Sequence, residues 1–238
     1  GLSRPGTDGA RETATPVSPT AGVKAATVVV FDMFTNRTDA GERLAEELRR
    51  SDVDADMVLG IPRGGLPVAR PVADALDAPL DVVVAKKVGA PGNPELAVAA
   101  VTDDGTTWRN DSLIGSLDLT EGYLADEVEH EQRAAREKFE RYREGRPPLD
   151  LAGKRVLVVD DGLATGATTH ACVERVREAG AASVVVAVPV GSPRTIDEVG
   201  RRVDDVVALQ TPTNFSAVGQ FYRDFTQVSD AEAMALLD

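Results

Sequence analysis

The 238-residue chain has little cysteine and lysine, few aromatic residues and no long apolar run. Its single cysteine, Cys172, excludes a disulfide framework within one chain. No stretch approaches the roughly 20 apolar residues that a membrane-spanning helix needs. No charged-then-apolar signal segment precedes Val28. We therefore expect a soluble, cytoplasmic protein without a membrane partner.

The charge balance argues against nucleic acid as a partner. The formal net charge is -13, from 26 basic and 39 acidic residues. A duplex-binding protein needs a basic face to neutralise phosphates. Two explanations of the acidic, arginine-rich composition stay open, namely adaptation to high salt and a codon bias towards Arg and Asp. The only lysines are Lys24, Lys86, Lys87, Lys138 and Lys154.

The chain begins with a stretch that resembles no packed segment. Residues 1–24 are rich in Gly, Pro, Ser, Thr and Ala and lack an apolar period. This composition predicts a disordered tail over residues 1–26, followed by one domain over residues 27–238.

Beyond this tail, strand-like and helix-like patterns alternate, which predicts an α/β fold with a parallel sheet. A hairpin-like region is expected at 86–114, and a solvated helix lying across the core at about 120–145. The predicted helices otherwise cover 39–50, 65–76, the residues after 168 and those from 192, and the predicted strands cover 57–61, 80–85, 156–159, 183–189 and 205–209.

The most informative segment is VLVVDDGLATGATT at residues 156–169. Four consecutive β-prone apolar residues predict a strand buried on both faces of a parallel sheet. The loop that follows leads into a helical pattern, and ligands of α/β sheets bind at such junctions because the first helical N–H groups are unpaired. Its glycines allow close approach of an anion, and its threonines offer hydroxyl donors.

Two carboxylates stand at the end of that strand. Asp160 and Asp161 repel a phosphate, but they can accept hydrogen bonds from a sugar diol or act through Mg²⁺. A phosphate cradle beside a diol acceptor indicates a ribose 5-phosphate site. The alternative, a structural turn with two solvated aspartates, needs neither both acids nor three threonines.

This string resembles the phosphoribosyl pyrophosphate (PRPP) motif of type I phosphoribosyltransferases. The resemblance implies a Rossmann-like parallel sheet core with a flexible flap and a small C-terminal hood at about 210–238. It implies that Asp160 and Asp161 hold the ribose hydroxyls and a Mg²⁺ cofactor, directly or through water and PRPP. The 5-phosphate would then be bound by Gly162, Leu163, Ala164, Thr165, Gly166, Ala167 and Thr168.

A second glycine-rich loop, LGIPRGG at 59–65, also connects a predicted strand to a predicted helix. The backbone of Arg63, Gly64 and Gly65 and the Arg63 guanidinium suit a pyrophosphate. The family uses such a loop for the pyrophosphate arm of PRPP, often with a non-proline cis peptide. An ordinary turn is the alternative for this segment taken alone.

Lys86 and Lys87 precede the segment VGAPGNPE at 88–95, where the family carries a flap that shields the reaction from water. We expect one of the two lysines to bind pyrophosphate, and we take Lys87 as the catalytic candidate. Successive side chains of a strand point to opposite faces, but the sequence does not show which of the two lysines faces the ligand. Arg37 and Arg223 are weaker candidates for the same anion.

Aromatic residues, only 4% of the chain, concentrate near its end. This segment resembles the hood of 6-oxopurine phosphoribosyltransferases, which implies that Phe215 stacks on a base and Arg223 contacts pyrophosphate. Ala164 departs from the hypoxanthine-guanine pattern, which has an aspartate there. Glu95 is a possible substitute. The segment from Val203 and the PGNPEL string look like uncharacterised phosphoribosyltransferase-domain proteins of archaea and bacteria.

Together these features predict a Mg²⁺-dependent phosphoribosyltransferase of nucleotide metabolism that acts on PRPP and a nitrogenous base. We expect the base to be purine-like and the enzyme to act in purine salvage. We expect a homo-oligomer, in the form of a dimer. Two alternatives remain: a non-catalytic protein that binds PRPP or a nucleotide as a regulator, and a hydrolase of the phosphoribosyl group.

Overall fold

A computed structural model describes residues 23–25 and 33–238 of the chain. Most of the predicted disordered tail therefore lies outside the described residues. The helices are α1 (Arg37–Arg50), α2 (Gly65–Leu76), α3 (Asp111–Ser116), α4 (Glu121–Tyr142), α5 (Ala167–Glu178), α6 (Pro193–Gly200) and α7 (Asp230–Ala235). The strands are β1 (Val23–Ala25), β2 (Met57–Gly60), β3 (Leu80–Val82), β4 (Ala85–Ala90), β5 (Asn93–Thr102), β6 (Thr107–Arg109), β7 (Arg155–Val159), β8 (Ser183–Val190) and β9 (Asp205–Gln210).

The central sheet is parallel, as the sequence predicts. Its strand order is β1-β9-β8-β7-β2-β3, and β4, β5 and β6 form a separate antiparallel sheet. The predicted hairpin-like region is thus confirmed as a three-stranded antiparallel sheet over 85–109. The fold is α/β and Rossmann-like.

Helices cover both faces of the central sheet. Successive residues of β7 point to opposite faces. Leu157 and Val159 pack in one buried apolar cluster with α1 and α2, and Val156 and Val158 pack in another with α5 and α6. The run of four apolar residues in β7 is explained by this burial on both sides.

Two predicted boundaries are wrong. Val23–Ala25, which we placed in the disordered tail, pairs in parallel with Val206–Ala208 of β9. The unpaired N–H and C=O groups of a sheet edge accept such a strand whatever its side chains are. The predicted strand 80–85 ends at Val82, because the chain leaves the parallel sheet there and Ala85 pairs with Thr102 of β5.

The C-terminal segment divides into two parts. Residues 211–229, which we call the hood, pack through Phe215, Phe221, Tyr222 and Phe225 against Phe34. The last helix, α7, instead packs its buried Ala233 in the core shared by α1 and α2. Only the first part of the predicted hood therefore forms an aromatic cluster. Within the described ranges, no helix is long and apolar enough to cross a membrane.

Candidate active site

The candidate site lies where the strand order of the central sheet reverses, between β2 and β7. These strands are parallel neighbours, with Gly60 opposite Val159. The chain proceeds outward from β2 to β3 and, in the other direction, from β7 to β8 and β9. Because the carboxyl ends of both strands open into one crevice at such a switch point, this is the expected ligand site of an α/β sheet.

The two glycine-rich loops touch each other. A Cβ atom at Gly64 would lie 2.1 Å from Oδ2 of Asp161, and one at Gly65 would lie 2.8 Å from the Val159 carbonyl oxygen. Glycine is therefore needed at both positions for close approach rather than for unusual torsion angles. The peptide bond between Pro62 and Arg63 is cis, as the family resemblance implies.

Three hydrogen bonds position Asp160 and Asp161, which we call the acid pair. Oδ1 of Asp160 accepts the Asp161 backbone N–H at 2.8 Å, and Oδ2 of Asp161 accepts from Nε of Arg37 at 2.7 Å. The Tyr222 hydroxyl donates to the Asp161 carbonyl at 2.6 Å. Burial raises the pKa of both carboxyl groups, and the charge of Asp161 raises the pKa of Asp160 further. The pair is a preorganised acceptor for hydroxyl donors.

Arg37 is part of this arrangement rather than of the anion loop, for which the sequence made it a weak candidate. Its guanidinium lies 3.8 Å from the centre of the Phe225 ring and donates to the Thr226 carbonyl at 2.8 Å. The hydrogen bond from Arg37 opposes the rise in the pKa of Asp161 that burial causes. Arg37 thus connects helix α1, the acid pair and the hood.

Replacing Arg37 with glutamine is expected to lower the free energy of unfolding by about 3 kcal/mol at neutral pH, because it leaves a nearly buried carboxylate unpaired. The loss requires an ionised Asp161, so the difference from the wild type should narrow as the pH falls through the pKa of Asp161. Urea unfolding at several pH values measures this. Arg43→Gln on the same helix removes a more exposed pair with Asp39 and is expected to change stability by less than about 1 kcal/mol. Equal effects of the two variants would contradict the argument.

The predicted phosphate loop meets the amino end of α5. Gly166 is the N-cap residue, with φ of 77°, and no side chain caps the helix there. Only glycine adopts this torsion angle readily. Within the described part of the chain, the hydroxyls of Thr165 and Thr168 hydrogen-bond to no protein group. Unpaired N–H groups and hydroxyls at a helix start suit an anion.

Leu163 has a different position from the one predicted. Its side chain is buried in the core, and its N–H donates to the Val190 carbonyl at 2.8 Å. The Ala164 carbonyl accepts from the Thr195 hydroxyl at 2.6 Å. Because the Leu163 N–H is already used, this residue anchors the loop to the end of β8 and does not offer an N–H to a phosphate.

The structure separates the two neighbouring lysines. Lys86 lines a cleft of about 330 Å³ together with Arg63. Lys87, which is next along β4 and therefore points to the other face, is 42% exposed and pairs with Glu95 at 3.4 Å. Of the two lysines, only Lys86 lines the cleft that contains Arg63, and the role of Lys87 as the catalytic candidate stays a prediction. The pair with Lys87 also engages the carboxylate of Glu95, the residue that the sequence offers as a possible substitute for an aspartate at position 164.

The sequence interpretation missed Lys138. This lysine belongs to α4, and its Nζ donates to the Pro62 carbonyl at 3.0 Å, beside the cis peptide. We interpreted α4 as a solvated helix because its charges are spread over mixed spacings. The scarcity of lysine was a signal that could have identified it. Three of the five lysines lie in β4 or α4, namely Lys86, Lys87 and Lys138.

The hood reaches over the phosphate loop. A Cβ atom at Gly162 would lie 2.5 Å from a methyl group of Val218, so the two segments are in direct contact. Phe215 is half-buried and stacks on Phe221 with ring centres 5.4 Å apart. One face of the Phe215 ring is therefore already covered. Arg223 is exposed, and its backbone N–H donates to the Phe34 carbonyl at 2.8 Å.

The residues that the structure describes form no metal site from protein groups alone. Among the described residues, no group of three or more His, Cys, Asp or Glu side chains could hold a metal ion. Mg²⁺ is, however, commonly bound by one or two carboxylates together with substrate oxygens and water. Asp160 and Asp161 fit Mg²⁺ in that second manner only, since Asp161 already pairs with Arg37.

Comparisons with known proteins agree with this geometry. The family model described as phosphoribosyl transferase domain matches residues 32–226. Two Mycobacterium tuberculosis sequences whose name, phosphoribosyl transferase, is provisional are 45% identical over 207 residues, or 87% of this chain and 46% of their own length. The chain thus spans about half the length of these curated relatives. A crystal structure of the Thermus thermophilus protein TT1426 superposes with a TM-score of 0.74 at 42% identity, covering 87% of this chain and 98% of that one.

Proposed function

This chain belongs to the phosphoribosyl transferase domain family, and on that premise we propose that it transfers the 5-phosphoribosyl group of PRPP to a nitrogenous base and releases pyrophosphate. The contact between the acid pair and the second anion loop carries this proposal. In PRPP the pyrophosphate on C1 is adjacent to the 2-hydroxyl of the ribose. A PRPP site therefore needs carboxylate acceptors and cations side by side. Asp161 lies against Gly64, the residue that follows Arg63, and so meets this requirement.

The two ends of PRPP would occupy the two loops. Asp160 and Asp161 would accept hydrogen bonds from the 2- and 3-hydroxyls and so orient the ring. The backbone at Gly166 and Ala167 and the hydroxyls of Thr165 and Thr168 would bind the 5-phosphate. Fixing both ends of the sugar places C1 in one position, and this positioning accounts for a large share of the rate in such reactions.

The chemistry at C1 is a substitution. The bond from C1 to the pyrophosphate oxygen breaks, its electron pair leaves with the pyrophosphate, and a base nitrogen forms the new bond to C1. Arg63 and Lys86 would stabilise the charge that develops on the leaving group. Bound Mg²⁺ would neutralise part of the pyrophosphate charge. The nearby carboxylates favour the positive charge that develops on the ribose.

We propose a purine-like acceptor bound beneath the hood. Phe215 still has one ring face that Phe221 does not cover, and Val218 lies over the phosphate loop. An aromatic face beside the ribose site suits a flat heterocycle. A role in purine salvage follows if the acceptor is a purine. We further propose a cytoplasmic dimer that acts on small molecules, which the net charge of -13 supports over nucleic acid.

A second candidate is a non-catalytic PRPP or nucleotide sensor. Ala164 supports it, because the methyl side chain there offers no proton acceptor for the base and its carbonyl is engaged by Thr195. A sensor would bind PRPP without turnover.

Labelled PRPP, Mg²⁺ and a panel of purine and pyrimidine bases test the proposal. We expect calorimetry to detect PRPP binding and at least one base to give a labelled nucleotide with release of pyrophosphate. Binding without product from any base would favour the sensor, and product formation without added base would favour a hydrolase. If PRPP does not bind at all, both the transferase and the PRPP sensor are wrong.

A further inference from the structure

One cleft beside the candidate site is lined by more positive charge than the sequence interpretation assigned to it. Its volume is about 330 Å³, and it lies between the loop after β2, strand β4, helix α4 and the start of α7. Four cationic side chains line it, against two carboxylates. The cations are Arg63, Lys86, Lys138 and Arg141, and the carboxylates are Glu137 and Asp230.

Three of these cations have no carboxylate partner. Arg141 pairs with Asp230 at 3.3 Å. Within residues 33–238, the side chains of Arg63 and Lys86 form neither a hydrogen bond nor an ion pair, and Lys138 donates only to the Pro62 carbonyl. In a chain of net charge -13, three cations without an ion-pair partner around one cleft indicate a place for an anion.

The position of Lys138 connects this cleft to the reacting centre. Its ammonium group is bound to the carbonyl of the Pro62–Arg63 peptide, and the next residue, Gly64, lies against Asp161. Lys138 on α4 therefore contacts the same loop that lies against the acid pair. The direct bond to Pro62 also fixes the approach of α4 to this loop.

We propose that Lys138 binds the pyrophosphate group of PRPP, forming with Arg63 and Lys86 a three-cation pocket in which α4 supplies one ligand. This inference rests on the proposed function and extends it by one residue that lies outside both glycine-rich loops. The ammonium group holds the Pro62 carbonyl with one N–H and has two further N–H donors for phosphate oxygens.

The electrostatics of the pocket agree with this role. Burial, with Lys86 and Arg63 as repelling neighbours, lowers the pKa of Lys138 to about 8, while Asp230 and Asp160 oppose the shift. The same cleft is also lined by Glu137 and Arg141 of α4. The Lys138 ammonium group lies 5.7 Å from the centre of the Tyr142 ring, one helical turn further along α4. A bound polyanion would compensate the three cations and raise the pKa of Lys138, so anion affinity should fall as the pH rises through about 8.

Calorimetry with PRPP, inorganic pyrophosphate and ribose 5-phosphate tests the inference. Lys138→Met is expected to weaken PRPP and pyrophosphate by about 10- to 100-fold and to change ribose 5-phosphate by less than about threefold. Lys154→Met is the matched control, since Lys154 precedes the amino end of β7 whereas the candidate site lies at the carboxyl ends of the strands, and it should leave all three affinities unchanged.

The Lys138→Arg variant supplies a second readout that does not depend on the methionine variant folding well. It should retain pyrophosphate affinity and lose the part of the pH dependence between pH 7 and 9 that belongs to the lysine. The titration of pyrophosphate itself is common to both proteins and cancels in the comparison.

The outcomes separate this inference from the function on which it rests. If the wild type binds PRPP and Lys138→Met binds PRPP and pyrophosphate equally well, Lys138 is not a ligand and the proposed function stands. An equal loss for ribose 5-phosphate, or identical pH profiles for wild type and Lys138→Arg, also overturns the inference. If the wild type binds neither PRPP nor pyrophosphate, the proposed function fails and this inference fails with it.

Discussion

Replacing Asp160 and Asp161 together with asparagine is expected to weaken PRPP binding by more than about 100-fold. Each carboxylate would accept a hydrogen bond from a ribose hydroxyl, and a bond to a charged group contributes about 1.5 to 3 kcal/mol. Calorimetry with PRPP and Mg²⁺ measures the loss. Asp126→Asn on the exposed part of α4 is the control for the same chemical change and should bind PRPP like the wild type.

The two single variants, Asp160→Asn and Asp161→Asn, should differ in their effect on stability. Burial and Asp161 raise the pKa of Asp160, so the folded state holds its proton more tightly than the unfolded chain and stability falls as the pH rises above about 4. Asp160→Asn removes this penalty and should raise the melting temperature at pH 7 by a few °C, about 2 to 4 °C per kcal/mol. The gain should disappear as the pH is lowered towards 4.

Burial raises the pKa of Asp161 as well, but Asp161→Asn also breaks the 2.7 Å pair and leaves the nearly buried Arg37 guanidinium without a carboxylate, so its melting temperature should lie below that of Asp160→Asn. Retention of PRPP affinity in the double variant would refute the assignment of the acid pair. A melting temperature of Asp160→Asn equal to or below that of the wild type would refute the electrostatic argument while leaving the binding assignment intact.

Gly64→Ala is expected to weaken PRPP binding by more than about tenfold and to destabilise the fold by about 1 to 3 kcal/mol. The new methyl group would lie 2.1 Å from Oδ2 and 2.8 Å from Cγ of Asp161, and 3.1 Å from Nε of Arg37. Either the loop or the Asp161–Arg37 pair must move, and both are parts of the candidate site. Urea unfolding and PRPP calorimetry measure the two effects.

Gly122→Ala provides the matched control for this variant. Gly122 lies near the start of α4, and no other heavy atom lies within 4 Å of its added Cβ. Alanine is a better helix former than glycine, so this variant should gain up to about 1 kcal/mol of stability and bind PRPP normally. If Gly64→Ala also behaves in this manner, the two loops are not in the close contact from which the function is argued.

The sequence predicts the central part of this fold well because its signals are local. The four apolar residues before Asp160 and the glycine-rich loop after them mark a buried strand and a helix start within 14 residues. The predicted limits of α2 agree with the structure for the same reason. The exchange of sheet between Val82 and Ala85 was missed, because an apolar run does not show which strand it pairs with.

The candidate site shows the same division between near and distant contacts. Both glycine-rich loops were identified from their composition, and the cis peptide agrees with the family resemblance. The partners of those loops were not identified. Arg37 reaches Asp161 across 124 positions of sequence, and Lys138 reaches Pro62 across 76. Nothing in the spacing of charges on α1 or α4 marks these two residues.

By itself, the sequence determined the α/β class, the two glycine-rich loops and the acid pair between strand and helix, since backbone geometry and residue type act over a few neighbours. The tertiary structure alone decided that the loops touch at Gly64 and Asp161, that Lys86 rather than Lys87 lines the cleft, and that Leu163 is an anchor. It alone brought Lys138 to the loop at Pro62. These contacts depend on which strands are neighbours in the sheet and where a long helix crosses it, and no local pattern of residues specifies either.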